Sequence, residues 1–279
     1  MKDHPLLSLL AAAELKVLTF DNHRLRAINY RNRVIHDFYM MTYVRSGSAK
    51  LRVGDRVYDI APGTVIFIPP LLEHDQYKDN DEETEFLWWH FTYRIQNTVD
   101  VLPFLRIPFI YPLRDHRRFE DAFDELIRCR NPEDGHLPKV ILQKAKALEL
   151  LYVLLDNAVG QANDANPELP PAGFLSLLLK LAARPEAHFT LADLAKDMHM
   201  NPTYVSNQFK KIFGKSPILL HRELKIAKAK ALLETGDRTV ADIGADLGFE
   251  DAQSFTRLFK KYAGISPIQY RRLFEIRPV

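Results

Sequence analysis

Apolar residues recur every three to four positions through the last third of the chain, whereas short runs of β-branched and aromatic residues fill the stretch from about position 37 to 91. Helical spacing predicts amphipathic helices, and short runs bounded by Gly, Pro, Asn and Asp predict strands. The pattern therefore divides the chain into a strand-rich first part and an all-α last part.

The clearest helical pattern lies in residues 239–271, where two apolar stripes are separated by a tight turn. The stripes consist of Val240, Ile243 and Leu247, then Phe255, Leu258, Phe259 and Tyr262. The boundaries are marked by residues that cap or end helices, namely Thr239 with Asp242, Gly248, Gly264, and Ser266 with Pro267. This spacing predicts a helix-turn-helix unit.

A second copy of this unit occupies residues 190–222. Thr190 and Asp193 match the first cap, and after a one-residue insertion the later landmarks match as well: Phe209-Lys210-Lys211, Gly214 and Ser216-Pro217. Between the two units, residues 217–235 predict a linker helix with a stripe of Ile218, Leu224, Ala227 and Ala231. At about 1.5 Å per residue it is about 28 Å long. Allowing for its offset from the units, this length suits two recognition helices roughly 34 Å apart, one turn of DNA.

Charge is unevenly distributed along the chain. The whole chain has a net charge of +2, but from Gly173 onward 17 Lys and Arg face 11 Asp and Glu, which leaves about −4 for the remainder. Basic charge beside a helix-turn-helix pair predicts salt-dependent binding to DNA phosphates. The alternative is that Lys210, Lys211, Lys260 and Lys261 lie on ordinary solvated faces.

Short strands are predicted at residues 38–44, 50–53, 65–68 and 85–93, separated by turns such as Gly54-Asp55 and Pro62-Gly63. Strands at this spacing favour a small antiparallel barrel or jelly roll. In the last strand, alternation places Leu87, Trp89 and Phe91 on one face and Phe86, Trp88 and His90 on the other.

Two further helices are predicted at residues 116–130 and 138–159. The second spaces five apolar residues at helical intervals, namely Ile141, Ala145, Leu148, Tyr152 and Leu155, and has additional apolar groups at Leu151 and Val153. Such a helix packs on the barrel alone or pairs with its copy in a dimer. The polar, proline-rich stretch that follows predicts a linker.

The landmarks of the second unit resemble the AraC/XylS family of bacterial transcription regulators. They are Ile243-Gly244, Gly248-Phe249, Phe255, Phe259-Lys260-Lys261, Gly264, Ser266-Pro267 and Tyr270-Arg271. Gly244 departs from the family pattern, which usually has alanine there. Upstream the resemblance is looser, although residues 51–74 resemble a cupin-like sensing domain, and the Trp-His-Phe run resembles sugar-responsive members of the family.

The resemblance implies two domains: a cupin-like antiparallel β barrel with flanking helices at residues 1–160, for effector binding and dimerisation, and an all-α DNA-binding domain at residues 173–279. Residues 161–172 would link them. The second domain would contain both helix-turn-helix motifs, joined by the linker helix. The implied function is a sugar-responsive activator of carbohydrate-use genes, a cytoplasmic homodimer that binds double-stranded DNA and contacts RNA polymerase.

The resemblance implies the DNA-contacting residues position by position, whereas the ligand-binding residues are inferred from the chemistry of a pocket in the barrel mouth. The residues expected to contact DNA are Thr203, Ser206, Asn207 and Lys210 in the first unit and Gln253, Ser254, Arg257 and Lys260 in the second. Asn and Gln can pair with adenine and Arg with guanine. The residues expected to bind the ligand are His74, Gln76, Tyr77 and Trp89, although core packing is the simpler role for either tryptophan.

Other classes are disfavoured by what the sequence lacks. There is no His-x-His pair of the kind that metal-binding cupins present, so we expect neither a metal nor a catalytic site. The single cysteine, Cys129, cannot form an internal disulfide or supply the thiolates of a DNA alkylation-repair protein. The short N-terminal apolar run is expected to be structural rather than a signal peptide, and no membrane span is expected. A regulator that responds to a non-sugar metabolite or a partner protein stays open, as does, less favourably, a cupin-type enzyme fused to a DNA-binding module.

Overall fold

The computed structural model describes residues 5–130, 138–161, 170–236 and 238–275. The chain forms two compact units. The sheet unit comprises Glu14–Tyr93 and Leu102–Pro167, and the helical unit comprises Met1–Ala13, Arg94–Val101 and Glu168–Val279. The fold expected from the sequence, a sheet-rich first part and a helix-turn-helix last part, is confirmed.

The strands, in chain order, are β1 Glu14–Leu25, β2 Asn29–Arg33, β3 Tyr39–Ser46, β4 Ala49–Val53, β5 Arg56–Ile60, β6 Thr64–Ile68, β7 His74–Tyr77, β8 Thr84–Ile95, β9 Val99–Asp100 and β10 Ile110–Pro112. One sheet has the order β1-β8-β3-β6-β10, with β9 paired to the end of β8. The other has the order β2-β7-β4-β5. The predicted strands at residues 38–44, 50–53, 65–68 and 85–93 correspond to β3, β4, β6 and β8.

The two sheets enclose an apolar cluster, to which β3 and β6 contribute Met40, Val44 and Ile66 and β4 contributes Leu51. The opposite face of the larger sheet packs beneath helices α2 His116–Arg128 and α3 Pro138–Gln161. A short 3-10 helix, Leu102–Leu105, adds Leu102 to this second cluster. The sheet unit is therefore a β-sandwich. The larger sheet packs against α2 and α3 on one face and against the smaller sheet on the other.

Strand β8 belongs to both clusters, because successive side chains of a strand point to opposite faces. Leu87, Trp89 and Phe91 lie in the cluster beneath the helices. Phe86 and Trp88 belong to the cluster between the sheets. The predicted alternation along this strand is confirmed.

Helices α2 and α3 are confirmed, but the apolar stripe that the sequence singles out on α3 is not the face that packs against the sheet unit. The buried residues are Leu150, Leu151, Leu154 and Ala158, together with Ala147 and Val153. The predicted stripe is instead largely exposed: Ile141 is 71% exposed, Leu148 51% and Tyr152 53%. The helix has two apolar faces, and helical periodicity alone cannot tell which one fits against α2 and the sheet.

The helices of the helical unit are α1 Pro5–Ala12, α4 Ala172–Ala183, α5 Leu191–Asp197, α6 Pro202–Phe213, α7 Pro217–Thr235, α8 Val240–Asp246, α9 Ala252–Ala263 and α10 Pro267–Glu275. Helix α1 packs against α4, and both Leu6 and Leu9 are buried. Residues 162–169, most of the predicted linker, lie outside the described residues. Across the described helices, none is long and apolar enough to cross a membrane.

The linker helix α7 has the predicted bounds but not the predicted stripe. Leu224 is buried, whereas Ile218 and Ala227 are half-buried and Ala231 is exposed. Residues around the helix are buried instead, among them Leu220, Ile226, Ala229 and Leu233. Helix α7 contacts α4 and α6 as well as α8, α9 and α10, so it is buried on several sides and has no single apolar stripe.

The predicted caps of both helix-turn-helix units are present. Thr190 with Asp193 and Thr239 with Asp242 form reciprocal capping boxes, in which each side chain accepts a hydrogen bond from the other residue's backbone N–H. Gly214 and Gly264 end α6 and α9 in the left-handed conformation. These caps satisfy backbone groups that the helix ends would otherwise leave unpaired.

Polar contacts hold the loop after α4 against the linker helix and the second unit. His221 Nε2 lies 3.2 Å from the Arg184 carbonyl oxygen, and the Lys225 ammonium donates to the Ala187 carbonyl at 3.4 Å. Lys225 also lies 5.2 Å from the centre of the Phe249 ring, and burial lowers the pKa of its ammonium group. A methyl group at Gly248 would overlap the Glu186 carbonyl oxygen. The loop and the turn of the second unit therefore pack backbone to backbone.

We expect Gly248→Ala to destabilise the helical unit more than Gly264→Ala. Both glycines have positive φ, 74° and 78°, so alanine costs about 1–2 kcal/mol at either. Only at Gly248 does the new methyl group meet backbone, which adds roughly 1–3 kcal/mol, whereas Gly264 has open space. Urea unfolding of the full chain, followed by helix circular dichroism, measures both. Equal losses would contradict the close packing at Gly248.

Candidate nucleic-acid interface and ligand cavity

The second helices of the two units, α6 and α9, are built alike. Each has 12 residues and starts after a polar cap, Asn201 in α6 and Asp251 in α9. The Asn201 side chain accepts hydrogen bonds from the N–H groups of Thr203 and Tyr204, and Asp251 accepts one from the N–H of Ser254 at 2.7 Å. Residues fifty positions apart therefore occupy equivalent places on the two helices.

One face of each helix is buried and the other carries polar side chains. Val205 and Phe209 are buried in α6, and Phe255 and Phe259 in α9. The eight residues expected to contact DNA lie away from these faces. Thr203, Asn207, Lys210, Gln253, Arg257 and Lys260 are exposed, and Ser206 and Ser254 are half-buried. The fold thus gathers these side chains onto two exposed helix faces, equivalent in position.

In α9 two of the expected base-contacting residues, Arg257 and Ser254, form a hydrogen-bonded chain that ends at the cap residue Asp251. Arg257 Nη2 donates to Ser254 Oγ at 3.2 Å, and Ser254 Oγ donates to the Asp251 carboxylate at 2.7 Å. Hydrogen bonds from the backbone and side chain of Ser254 lower the pKa of Asp251, which keeps the carboxylate charged. The Ser254 hydroxyl is thereby committed to the cap, and Arg257 is oriented while its remaining N–H groups stay accessible.

The first unit differs at the equivalent places. Tyr204 stands where α9 has Ser254 and is 49% exposed, and Asn207 stands where α9 has Arg257. Tyr204 was not among the residues expected to contact DNA. Aligning the two helices from their caps would have found it, because the cap fixes the rotation of the first turn. The two helices therefore offer different chemistry from the same positions.

The sheet unit contains a cavity of about 200 Å³ between its two sheets. Its walls combine apolar groups with a few polar ones. They are His23, Leu25, Ile28, Tyr30, Arg33, Met40, Thr42, Ala49, Ile66, Gln76, Phe86, Trp88 and His90. A mostly apolar concave site with a few placed polar groups is typical of small-molecule binding.

The four residues expected to bind ligand are not brought together. Gln76 lines the cavity, whereas His74, Tyr77 and Trp89 do not. His74 is buried with Nδ1 3.0 Å from the Leu72 carbonyl oxygen, and Tyr77 lies beneath the Arg31 guanidinium. Trp89 is 1% exposed and stacks on Phe91 at 4.4 Å beneath the helices. Strand alternation places Trp88, rather than Trp89, at the cavity.

The aromatic wall of the cavity is a row of rings on neighbouring strands. The Trp88 ring lies 5.3 Å from His23 and 4.8 Å from His90. Burial and, to a smaller extent, the positive charge of Arg33 lower the pKa of His90 to about 4. Burial and the positive charge of Arg33 also lower the pKa of His74. His90 is therefore neutral at pH 7, with a ring that can both donate and accept a hydrogen bond.

The cavity and the rest of the described chain offer no cluster of three or more His, Cys, Asp or Glu side chains that could hold a metal ion. Cys129 is buried as a free thiol.

Two family models match the chain. One, described as AraC-like ligand binding domain, matches residues 20–152, and one described as Helix-turn-helix domain matches residues 194–273. The first covers every residue that lines the cavity, and the second covers all but the first few residues of the two helix-turn-helix units.

Several proteins of related sequence are regulators. The MmsAB operon regulatory protein of Pseudomonas aeruginosa is 28% identical, with 90% of this chain and 80% of that protein covered. The arabinose operon regulatory protein of Escherichia coli is 25% identical over 84% and 80%. The transcriptional activator RhaR of Pectobacterium carotovorum is 34% identical over 55% and 54%. Among solved structures, ToxT from Vibrio cholerae is 16% identical, covers 92% of this chain and 98% of its own, and has a TM-score of 0.38.

We expect the stability of the sheet unit to fall with acidification partly through His90. The unfolded chain binds a proton near the ordinary pKa of 6.5, but folded His90 does so only near 4, so acid favours unfolding between these values. From pH 7 to pH 5 the free energy of unfolding should fall less steeply in His90→Gln than in wild type. The two slopes should differ by up to about 1 kcal/mol per pH unit. Urea titrations at several pH values measure the slope. His36→Gln, at an exposed histidine, is the control, and identical slopes in wild type and His90→Gln would contradict the prediction.

Proposed function

Because the chain belongs to the AraC family of DNA-binding transcription regulators, we propose that it is a sugar-responsive activator of carbohydrate-use genes. In this proposal the helical unit binds double-stranded DNA and the cavity of the sheet unit binds the effector. The regulator acts as a cytoplasmic homodimer that contacts RNA polymerase, and it is not an enzyme.

The observation that carries the DNA-binding role is the matched pair of exposed helix faces on α6 and α9. Phosphate contacts would come from Lys210 and Lys260, which follow the same register on the two helices. Base contacts would come from residues nearer the helix starts, where Arg257 and Gln253 can bind guanine and adenine edges. Helix α7, at 19 residues and about 28 Å, connects the two units across about one turn of DNA.

Arg257→Ala tests the base-reading role. Once a preferred duplex has been selected from a random library with the full-length protein, the variant should bind it about 1–3 kcal/mol more weakly. Its preference should relax at one base pair, because one bidentate contact to guanine is lost. Gel-shift titrations against the selected duplex and its single-pair variants measure both effects.

Two further variants separate base reading from charge. Lys260→Ala should weaken binding to every duplex alike. It should also reduce the slope of the logarithm of the binding constant against the logarithm of salt concentration by about one, the value for one lost phosphate contact. Arg222→Ala removes an exposed arginine of α7 and is the control for net charge. If Arg257→Ala weakens all duplexes alike, as Lys260→Ala does, Arg257 is a phosphate contact and not a base reader.

The effector role rests on the cavity and its wall of rings. The flat rings of Trp88 and Tyr30 and the polar groups of Gln76 and Thr42 offer an apolar surface and hydrogen bonds at the same site. Sugars combine an apolar ring face with hydroxyl groups, so they match this mixture. Relatives named for the arabinose and raffinose operons favour a sugar over other metabolites. A non-sugar metabolite is the second candidate, because the relative named for the MmsAB operon is not named for a sugar.

Dimerisation is proposed through the exposed apolar face of α3. Ile141, Leu148, Tyr152 and Val159 are exposed and share one face by helical spacing, and the exposed Val140 and Leu142 flank this face at the start of the helix. Exposed apolar patches of this kind mark interaction sites. A second copy of the same helix would cover the patch by a two-fold contact.

Replacing Ile141 and Leu148 together by lysine should convert a dimer to a monomer at micromolar concentrations, because the two ammonium groups would be buried without partners. Sedimentation equilibrium of the full-length protein measures the mass. The control replaces two exposed apolar residues elsewhere in the sheet unit, Val57 and Leu71, by lysine and should leave the mass unchanged. A double α3 variant that stays dimeric would place the interface on another surface.

A further inference from the structure

Arg33 lies at the end of β2, where an irregularity in the strand redirects its side chain. In a regular strand Arg31 and Arg33 would point to the same face. The pairing of β2 with β7 shifts register between Tyr30 and Arg33, and Asn32 has a left-handed backbone with φ of 49°. Asn32 N–H donates to the Asp75 carboxylate at 2.8 Å, which fixes this conformation. As a result Arg33 joins Tyr30 at the cavity wall, while Arg31 turns to Asp75.

Arg33 differs from the neighbouring arginines because no described carboxylate pairs with its guanidinium. Arg31 and Arg52 both pair with Asp75, at 3.2 and 2.7 Å, and Arg45 pairs with Glu85, Glu120 and Asp124. Among the described residues Arg33 forms no ion pair, and its guanidinium carbon lies 5.2 Å from the centre of the Tyr30 ring. A half-buried guanidinium without a counter-ion favours an anion at the same site.

The remaining polar groups of the cavity point to the same conclusion. None of the thirteen described residues that line it is Asp or Glu. Trp88 Nε1 is buried and has no acceptor among the described residues. Sugar hydroxyls donate as well as accept hydrogen bonds, so a site for a neutral sugar needs strong acceptors. The acceptors of this cavity are neutral, namely Gln76 Oε1, the Thr42 hydroxyl and the His90 ring, whereas its strongest donor is the charged guanidinium of Arg33.

We propose that the effector carries a carboxylate, held by Arg33, and is therefore a sugar acid rather than a neutral sugar. The inference rests on the proposed effector role of the cavity and specifies its ligand. The guanidinium binds both carboxylate oxygens in the forked geometry that arginine favours. The carbon chain with its hydroxyls lies against Trp88, within reach of Gln76 and Thr42. A phosphate, with nearly twice the charge, would call for a second cation, and Arg33 is the only Lys or Arg among the described lining residues.

The test is calorimetric titration of the full-length protein with matched pairs of probes. D-Gluconate and D-galacturonate are compared with D-glucose and D-galactose, and glucose 6-phosphate is the third class. We expect at least one of the two acids to bind and its neutral counterpart not to bind. Arg33→Gln should weaken that binding by about 10- to 100-fold, the usual effect of losing a charged hydrogen-bonding partner.

Arg26→Gln is the matched control, because it removes an exposed arginine of the same sheet unit that does not line the cavity. It should bind the acid as wild type does. Circular dichroism and DNA binding of each variant establish that it is folded.

The outcomes separate this inference from the proposed function. If a neutral sugar binds with an affinity equal to or higher than that of its acid, the proposal of a carboxylate on the effector is wrong. The proposal of a sugar-responsive regulator is unaffected. If an acid binds and Arg33→Gln leaves its affinity unchanged, the proposed role of Arg33 is wrong. If only glucose 6-phosphate binds, the proposal of a carboxylate on the effector is wrong. Silence from every probe in a folded, DNA-binding protein would overturn both the sugar acid and the sugar effector while leaving the DNA-binding role intact.

Discussion

The sheet unit depends on one constraint, the alternation of side chains along β8. Phe86, Trp88 and His90 turn inward to the cavity, and the residues between them, Leu87, Trp89 and Phe91, form the core beneath α2 and α3. A shift of one residue in the pairing with β3 would exchange these two sets. Strand β8 thus determines which side chains line the cavity and which form the surface on which α3, the helix proposed to dimerise, packs.

Charge in the sheet unit is arranged so that most buried groups are paired. Asp75 accepts hydrogen bonds from Arg52, the Asn32 backbone and Arg31, and these hold the pKa of its carboxyl far below the ordinary range. The bulge at Asn32 thereby serves two purposes. It satisfies a buried carboxylate, and it leaves the next arginine along the strand facing the cavity. Arg33 forms no ion pair within the described part of the chain, and a bound anion would supply the missing negative charge.

In the helical unit, α7 is the helix around which the others are arranged, as β8 is the strand that determines both faces of the larger sheet. Helix α7 packs on α4, α8 and α9, and Lys225 links the loop after α4 to Phe249 of the second unit. Gly244 belongs to the same packing, because a methyl group there would lie 3.2 Å from the Phe255 ring. The departure of Gly244 from the family pattern therefore coincides with close approach of α8 to α9. Helices α6 and α9 both contact α7, which suits simultaneous contact with one face of DNA.

Local signals in the sequence determined the helix-turn-helix pair, the bounds of α7 and the two faces of β8. Caps such as Thr239 with Asp242, left-handed glycines such as Gly264 and strand alternation act within a few residues, so they can be recognised without knowing the fold. The buried face of α3 and the surroundings of α7 were decided only by the tertiary structure, because each helix offers several apolar faces and its partners come from distant parts of the chain. The cavity was decided in the same way. Arg33 and Trp88 are separated by more than fifty positions, and only the bulge in β2 and the pairing of the strands bring their side chains to one wall.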